Sequence, residues 1–151
     1  MERFIINGEK ELSGEIRVNG AKNAALKILA ASLLTDKVWT VSNVPQIEDI
    51  FRLIELLKGL GVEIKNGSKG IYQLEAKKIK ADNLDFNIAS KLKGSILMAG
   101  PLLSRCGEAN FYQAGGCVIG QRPRDIFLDS FKSLVLKLKK KAMDIIYQLS
   151  N

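Results

Sequence analysis

The stretch AKNAALKILAASLL, residues 21–34, opens an order of structural elements that occurs twice in this 151-residue chain. Its apolar residues recur at helical spacing among strong helix formers, so it predicts an amphipathic helix. Val38–Val41 follows as a predicted strand and Glu48–Leu60 as a second helix, which Gly61 would end in a left-handed conformation. A hairpin around Asn66-Gly67 completes the first copy.

The second copy is visible in the residues themselves. Leu33-Leu34-Thr35 is echoed by Leu102-Leu103-Ser104, and Asp49-Ile50-Phe51 by Asp125-Ile126-Phe127. The first echo is offset by 69 residues and the second by 76, so the second copy carries seven extra residues. They fall in the glycine-rich stretch GGCVIGQ, residues 115–121. A repeated βα unit and an α+β fold are therefore predicted, with a helix over 88–103, strands at 109–112 and 136–138, and a helix over 125–134.

The composition is that of an ordinary globular protein, with 46% hydrophobic and 26% charged residues. No run approaches the roughly 18 apolar residues that a membrane span needs, and the first residues do not resemble a signal peptide. We therefore expect a cytoplasmic protein without a membrane partner. The chain has no histidine, which argues against a metal site and against histidine-based catalysis, and its two cysteines are too few for a disulfide framework.

The net charge of +7 favours anionic partners. One hypothesis that it leaves open is a basic nucleotide- or nucleic-acid-binding module without catalysis. Against nucleic acid, the aromatic residues are scattered and no groove-reading pattern is present. The lysine run near residues 137–141 is typical of a solvated edge strand.

Lys22 and Asn23 stand at the predicted start of the first helix. There the free backbone N–H groups, the helix dipole and the ammonium group would all face an incoming anion. The alternative is a solvated lysine beside a local helix cap. Both readings are open on the residues alone.

Cys117 lies between glycines in the extra segment, where the backbone can approach a ligand closely. Arg122 and Arg124 would favour its thiolate form, so that it could act as a nucleophile or proton donor. A small buried side chain is the alternative. Arg122-Pro123-Arg124-Asp125 precedes a predicted helix, and its arginines suit a phosphate group, although they could equally be surface charges. Cys106 is given no role.

Three segments together resemble the UDP-N-acetylglucosamine enolpyruvyl transferases. They are GAKNAA at residues 20–25, GPLLSR at residues 100–105, and GGCVIG at residues 115–120, which is followed by Arg122-Pro123. The resemblance spans about residues 3–141 and about the first third of such an enzyme. It implies repeated βα units of an inside-out α/β barrel fold, which would be incomplete here.

The resemblance also implies a reaction, the first committed step of peptidoglycan synthesis. The enolpyruvyl group of phosphoenolpyruvate passes to the 3-hydroxyl of UDP-N-acetylglucosamine, and no further cofactor is needed. Cys117 matches the catalytic thiol that fosfomycin alkylates, and Lys22 and Asn23 match the residues that hold phosphoenolpyruvate. The positions that match the sugar-nucleotide site are Lys93, Arg122, Pro123, Arg124, Asp125 and Ile126.

Three positions depart from the family pattern. Lys93 stands where an arginine is usual and so lacks the bidentate fork. Phe127 replaces a common histidine, and Arg124 replaces a smaller or acidic residue. A related enolpyruvyl transferase of aromatic biosynthesis is the second enzyme considered, but the Gly-Gly-Cys loop argues against it.

The resemblance divides the chain into three parts. Residues 1–21, with strands at Phe4–Ile6 and Glu15–Val18, would belong to a domain completed by an absent C-terminal half. Residues 22–141 would form a partial domain of under two repeats, and residues 142–151 would be a non-native tail from a frameshift. We expect such a chain to have no turnover, and to self-associate through unpaired strand edges.

Overall fold

A computed structural model describes residues 3–112, 129–130, 133, 136–141 and 144–149. The first copy contains helix α1, Lys22–Ala31, continued by a 3-10 turn, Ser32–Leu34, then strand β1, Trp39–Val41, helix α2, Glu48–Gly59, and strands β2, Glu63–Asn66, and β3, Tyr72–Glu75. The second copy begins with helix α3 (Phe86–Ala89), a 3-10 segment (Lys93–Met98) and helix α4 (Ala99–Cys106). Its strands are β4 (Glu108–Tyr112), β5 (Leu136–Lys141) and β6 (Asp144–Leu149).

Each copy forms a three-stranded antiparallel sheet with the same strand order. The orders are β1-β3-β2 and β4-β6-β5, so the last strand of each copy is central. Trp39 pairs with Leu74 in the first sheet, and Glu108 pairs with Gln148 in the second. The repeated unit predicted from the sequence is confirmed by this common order.

The core lies between the helices and the first sheet. Leu29, Leu33, Leu57 and Leu102 are fully buried, and they come from α1 and its 3-10 turn, α2 and α4. Burying each such side chain stabilises the fold by about 1.5–3 kcal/mol. Because the helical spacing of these leucines puts them on one face of each helix, it determines which face packs into the core.

Arg105 connects the two copies. It lies in the last turn of α4, and its Nη1 donates hydrogen bonds to the carbonyl oxygens of Leu33 at 3.0 Å and Thr35 at 2.9 Å. These carbonyls follow the end of α1, where backbone acceptors lack helical partners. The guanidinium group therefore caps the end of the first helical segment from the second copy.

The predicted helices α1 and α2 are confirmed, and Gly61 has a φ of +94°, as its place after α2 predicts. The single helix predicted over residues 88–103 is wrong, because this segment is broken into α3, a 3-10 segment and α4. Pro101 has no N–H to donate, so a new helix is favoured to begin just before it. The Asn66-Gly67 turn is also longer than predicted: Asn66 still pairs with Tyr72, which leaves a five-residue loop, 67–71.

Residues 3–18, which we call the N-terminal arm, contain no strand or helix. The strands predicted at Phe4–Ile6 and Glu15–Val18 are therefore wrong for this chain. A strand needs a neighbour for its backbone N–H and C=O groups, and no described strand lies beside the arm. Its apolar side chains are exposed: Phe4 by 97%, Leu12 by 94% and Ile16 by 90%. Whether the arm belongs to another domain stays a prediction.

The C-terminal residues take part in the second sheet. β6 pairs with both β4 and β5, and β5 is longer than the strand predicted at 136–138. The non-native origin of residues 142–151 is not tested by this pairing and stays a prediction. Most of the helix predicted over 125–134 lies outside the described residues. Among the helices that are described, none is long and apolar enough to cross a membrane.

Candidate functional site

The start of α1 has exposed backbone donors that no side chain caps. Ala21 precedes the helix in an extended conformation, no side chain caps the helix, and its first turn contains no acidic residue. Ala25 N is bonded to Ala21 O at 3.0 Å, and the amides before it have no acceptor within the helix. This end of α1 therefore carries partial positive charge and suits an anion.

Gly20 holds this helix start close to a neighbouring loop. A Cβ at Gly20 would lie 1.9 Å from the carbonyl oxygen of Asn43, a separation that no real side chain tolerates. Asn43 itself adopts a left-handed conformation, with a φ of +55°, which asparagine accepts more readily than most residues. The close approach of the two backbones explains why a glycine precedes Ala21 and Lys22.

Lys22 is paired with a residue that the sequence did not identify as part of the site. Its Nζ lies 2.7 Å from Oδ2 of Asp49, and both side chains are about half exposed, at 48% and 43%. Asp49 is in the first turn of α2, so this contact joins the starts of two helices. The repetition of Asp49-Ile50-Phe51 in the second copy was the one sequence signal that marked Asp49.

The 3-10 segment that begins at Lys93 packs beside α1. A Cβ on Gly94 would lie 3.3 Å from Cδ1 of Leu26, which is one helical turn after Lys22. Asn23 and Lys93 are both exposed. The structure thus places the exposed side chains of Lys22, Asn23 and Lys93 on neighbouring elements, with two cations among them.

The remaining predicted site residues lie outside the described part of the chain. These are Cys117, Arg122, Pro123, Arg124, Asp125 and Ile126. Cys106, the other thiol, is half-buried at the end of α4. Burial raises the pKa of its thiol, nearby Glu108 raises it further, and Arg105 partly offsets both effects. Within the described residues, no group of acidic or cysteine side chains could hold a metal ion.

Comparisons with known proteins show what this arrangement is similar to. Residues 6–150 match the family model of EPSP synthase (3-phosphoshikimate 1-carboxyvinyltransferase). Over 139 residues, or 92% of this chain, the sequence is 40% identical to UDP-N-acetylglucosamine 1-carboxyvinyltransferase 2 of Carboxydothermus hydrogenoformans. It is equally similar, over the same length, to UDP-N-acetylglucosamine 1-carboxyvinyltransferase of Gluconobacter oxydans. The chain spans about a third of the length of these curated relatives, 33% in each case.

Solved structures show the same fold. The enolpyruvyl transferase NikO from Streptomyces tendae superposes over 95% of this chain with a TM-score of 0.78 at 19% identity. EPSP synthase from Acinetobacter baumannii superposes over 91% with a TM-score of 0.63 at 12% identity. In both cases the match covers 32% of the larger chain. The predicted fold class, part of an enolpyruvyl transferase fold, is confirmed.

Proposed function

Because the chain belongs to the EPSP synthase (3-phosphoshikimate 1-carboxyvinyltransferase) family, we propose that it supplies one wall of an enolpyruvyl transferase site. The proposed acceptor is UDP-N-acetylglucosamine, since both curated relatives at 40% identity carry the name UDP-N-acetylglucosamine 1-carboxyvinyltransferase. Such a reaction would serve peptidoglycan synthesis in the cytoplasm.

The observation that carries this proposal is the uncapped start of α1 with Lys22 as its first residue. Phosphoenolpyruvate presents a phosphate and a carboxylate. Free helix N–H groups and a lysine ammonium are suited to such oxygen atoms, and the side-chain amide of Asn23 adds further donors. We assign Lys22 and Asn23 to phosphoenolpyruvate.

We assign the chemistry to Cys117. Its thiol would give a proton to the methylene carbon of phosphoenolpyruvate as the 3-hydroxyl of the sugar adds to the adjacent carbon and passes its own proton to a general base. Phosphate then leaves with the electrons of its carbon–oxygen bond, and the methyl carbon so formed returns a proton to the Cys117 thiolate as the double bond forms again. Lys93 and the residues from Arg122 to Ile126 would bind the sugar nucleotide, with arginine forks suited to its diphosphate.

We expect no turnover from this chain alone. Catalysis of this kind requires that two substrates be oriented and water be excluded, which one wall of a cleft does not achieve. Binding and thiol modification are therefore the appropriate measurements.

The test is mass spectrometry of the chain after incubation with fosfomycin, with and without UDP-N-acetylglucosamine. We expect one adduct on Cys117, accelerated by the sugar nucleotide, and none on Cys106. Cys106→Ala should retain the adduct and Cys117→Ala should lose it. Shikimate 3-phosphate is the matched control ligand, because it is the acceptor of the enzyme for which the family is named.

Acceleration by shikimate 3-phosphate in place of the sugar nucleotide would reassign the acceptor. Equal labelling of both cysteines, with no effect of either ligand, would refute the site. The non-catalytic alternative makes a different prediction, namely nucleic-acid binding that weakens steeply as salt is raised.

A further inference from the structure

We propose that Asp49 is a positioning residue for Lys22, holding its ammonium group beside the start of α1 in readiness for an anionic ligand. The inference rests on the proposed function, in which Lys22 binds phosphoenolpyruvate. It adds a residue from α2 to a site whose other described members lie on α1 and on the 3-10 segment Lys93–Met98.

The geometry allows Asp49 and a ligand to share Lys22. A lysine ammonium has three N–H donors, and the 2.7 Å contact with Asp49 Oδ2 uses one of them. The other donors stay available for oxygen atoms of a ligand. Lys22 and Asp49 are 27 residues apart, so their contact depends on the packing of α1 against α2.

The contact also lowers the cost of binding. A free lysine side chain samples many rotamers, and a ligand that must order it binds less tightly. Asp49 orders the side chain in advance from the first turn of α2, where the helix dipole favours a carboxylate. The neighbouring Glu48 does not share this task, because its Oε1 accepts from Nε of Arg52 at 2.9 Å.

Positioning of Lys22 and simple charge repulsion predict opposite effects of removing the Asp49 carboxylate on the affinity for an anion. By Coulomb's law alone, removal of a carboxylate near an anion site strengthens anion binding. Loss of positioning weakens it. Asp49→Asn and Glu48→Gln remove the same charge from the same helical turn, but only the first removes the charged partner of Lys22.

The experiment is calorimetric titration of phosphoenolpyruvate into the full chain and its variants, with circular dichroism to confirm folding. We expect Asp49→Asn to weaken binding by about three- to fivefold, the size typical of a half-exposed ion pair. Glu48→Gln should leave the affinity unchanged or slightly raised. Asp49→Glu, which keeps the carboxylate, should recover most of the loss.

A double-substitution cycle completes the test. In a Lys22→Ala background, Asp49→Asn should no longer weaken binding, because there is no ammonium group left to position, and like Glu48→Gln it should leave the affinity unchanged or slightly raised. Equal or stronger binding by Asp49→Asn, matching Glu48→Gln, would overturn the role of Asp49 while leaving the anion site intact. Wild-type binding that Lys22→Ala does not alter would instead refute the proposed phosphoenolpyruvate site itself.

Discussion

Gly20 shows how a single residue shapes the candidate site. Its backbone lies so close to the carbonyl of Asn43 that a methyl group cannot be accommodated. The motif around Gly20 could be identified from the sequence, but the reason for the glycine could not, because its neighbour Asn43 is distant along the chain. Only the fold reveals that the glycine is needed for a backbone contact.

We expect Gly20→Ala to destabilise the chain by about 1–3 kcal/mol, because the loop at Asn43 or the start of α1 must move. Phosphoenolpyruvate binding should weaken with it. Urea unfolding followed by circular dichroism measures the first effect. Gly8→Ala is the matched control, since a Cβ at Gly8 meets nothing within 4 Å. Equal stability of both variants would contradict the close approach.

Cys106 predicts a pH dependence of stability. Burial raises the pKa of its thiol above the ordinary value of 9.0, so the folded state retains the proton where the unfolded state releases it. The resulting stabilisation is fully present below the unfolded-state pKa and is lost as the pH rises through the folded-state pKa. Wild type should therefore lose more stability between pH 8 and pH 10 than Cys106→Ala. Identical losses, measured by urea unfolding, would exclude a raised pKa.

At the scale of elements, the contact between α4 and the end of α1 depends on Arg105. We expect Arg105→Met to lower the free energy of unfolding by about 1.5–3 kcal/mol, because two carbonyl oxygens lose a charged donor. Arg52→Met is the control: in the described part of the chain Arg52 bonds to the exposed carboxylates of Glu48 and Glu55 within α2, and we expect no resolvable change. Chemical denaturation of both variants would measure the difference, and similar values would show that Arg105 does not join the copies.

Elements with strong periodicity were predictable, and those that depend on a partner were not. α1 and α2 bury one face of a helical pattern, so their apolar spacing was sufficient. The N-terminal arm has strand-like residues, such as Phe4 and Ile16, but a strand forms only with a neighbour. The segment 88–103 was predicted as one helix because apolar periodicity shows neither the break at 90–92 nor the change from 3-10 to α-helical geometry at Ala99.

The site was predictable only in part. Lys22, Asn23 and Lys93 were identified from the sequence, and the structure places them on adjacent elements. The contact between Lys22 and Asp49 was not predicted, because the two residues are 27 positions apart and such a pairing is set by how two helices pack. The repeat of Asp49-Ile50-Phe51 at Asp125-Ile126-Phe127 drew attention to Asp49 but did not indicate that it contacts Lys22.

At the scale of the whole molecule, the N-terminal arm carries the most exposed large apolar side chains of the described residues. Exposed apolar side chains of this kind favour association between copies of the chain. We expect the triple substitution of Phe4, Leu12 and Ile16 by serine to reduce self-association in sedimentation experiments.

The free energy of unfolding of the same triple variant should lie within about 0.5 kcal/mol of the wild-type value, because none of the three side chains is buried. Leu29→Ala, at a fully buried position, should instead cost about 2–5 kcal/mol. An unchanged sedimentation profile would show that the arm does not mediate contacts between copies.

The position of β6 at the centre of the second sheet has a consequence for the time course of biosynthesis. The three described strands of the first sheet are complete once Glu75 has been made, but among the described strands β4 and β5 each pair with β6 alone, which ends at Leu149. At roughly 5–20 residues per second, a ribosome needs about 4–15 s to add the intervening residues. The strands of the first sheet can pair during that interval, whereas β4, which is complete at Tyr112, lacks its partner strand β6 for the later part of it.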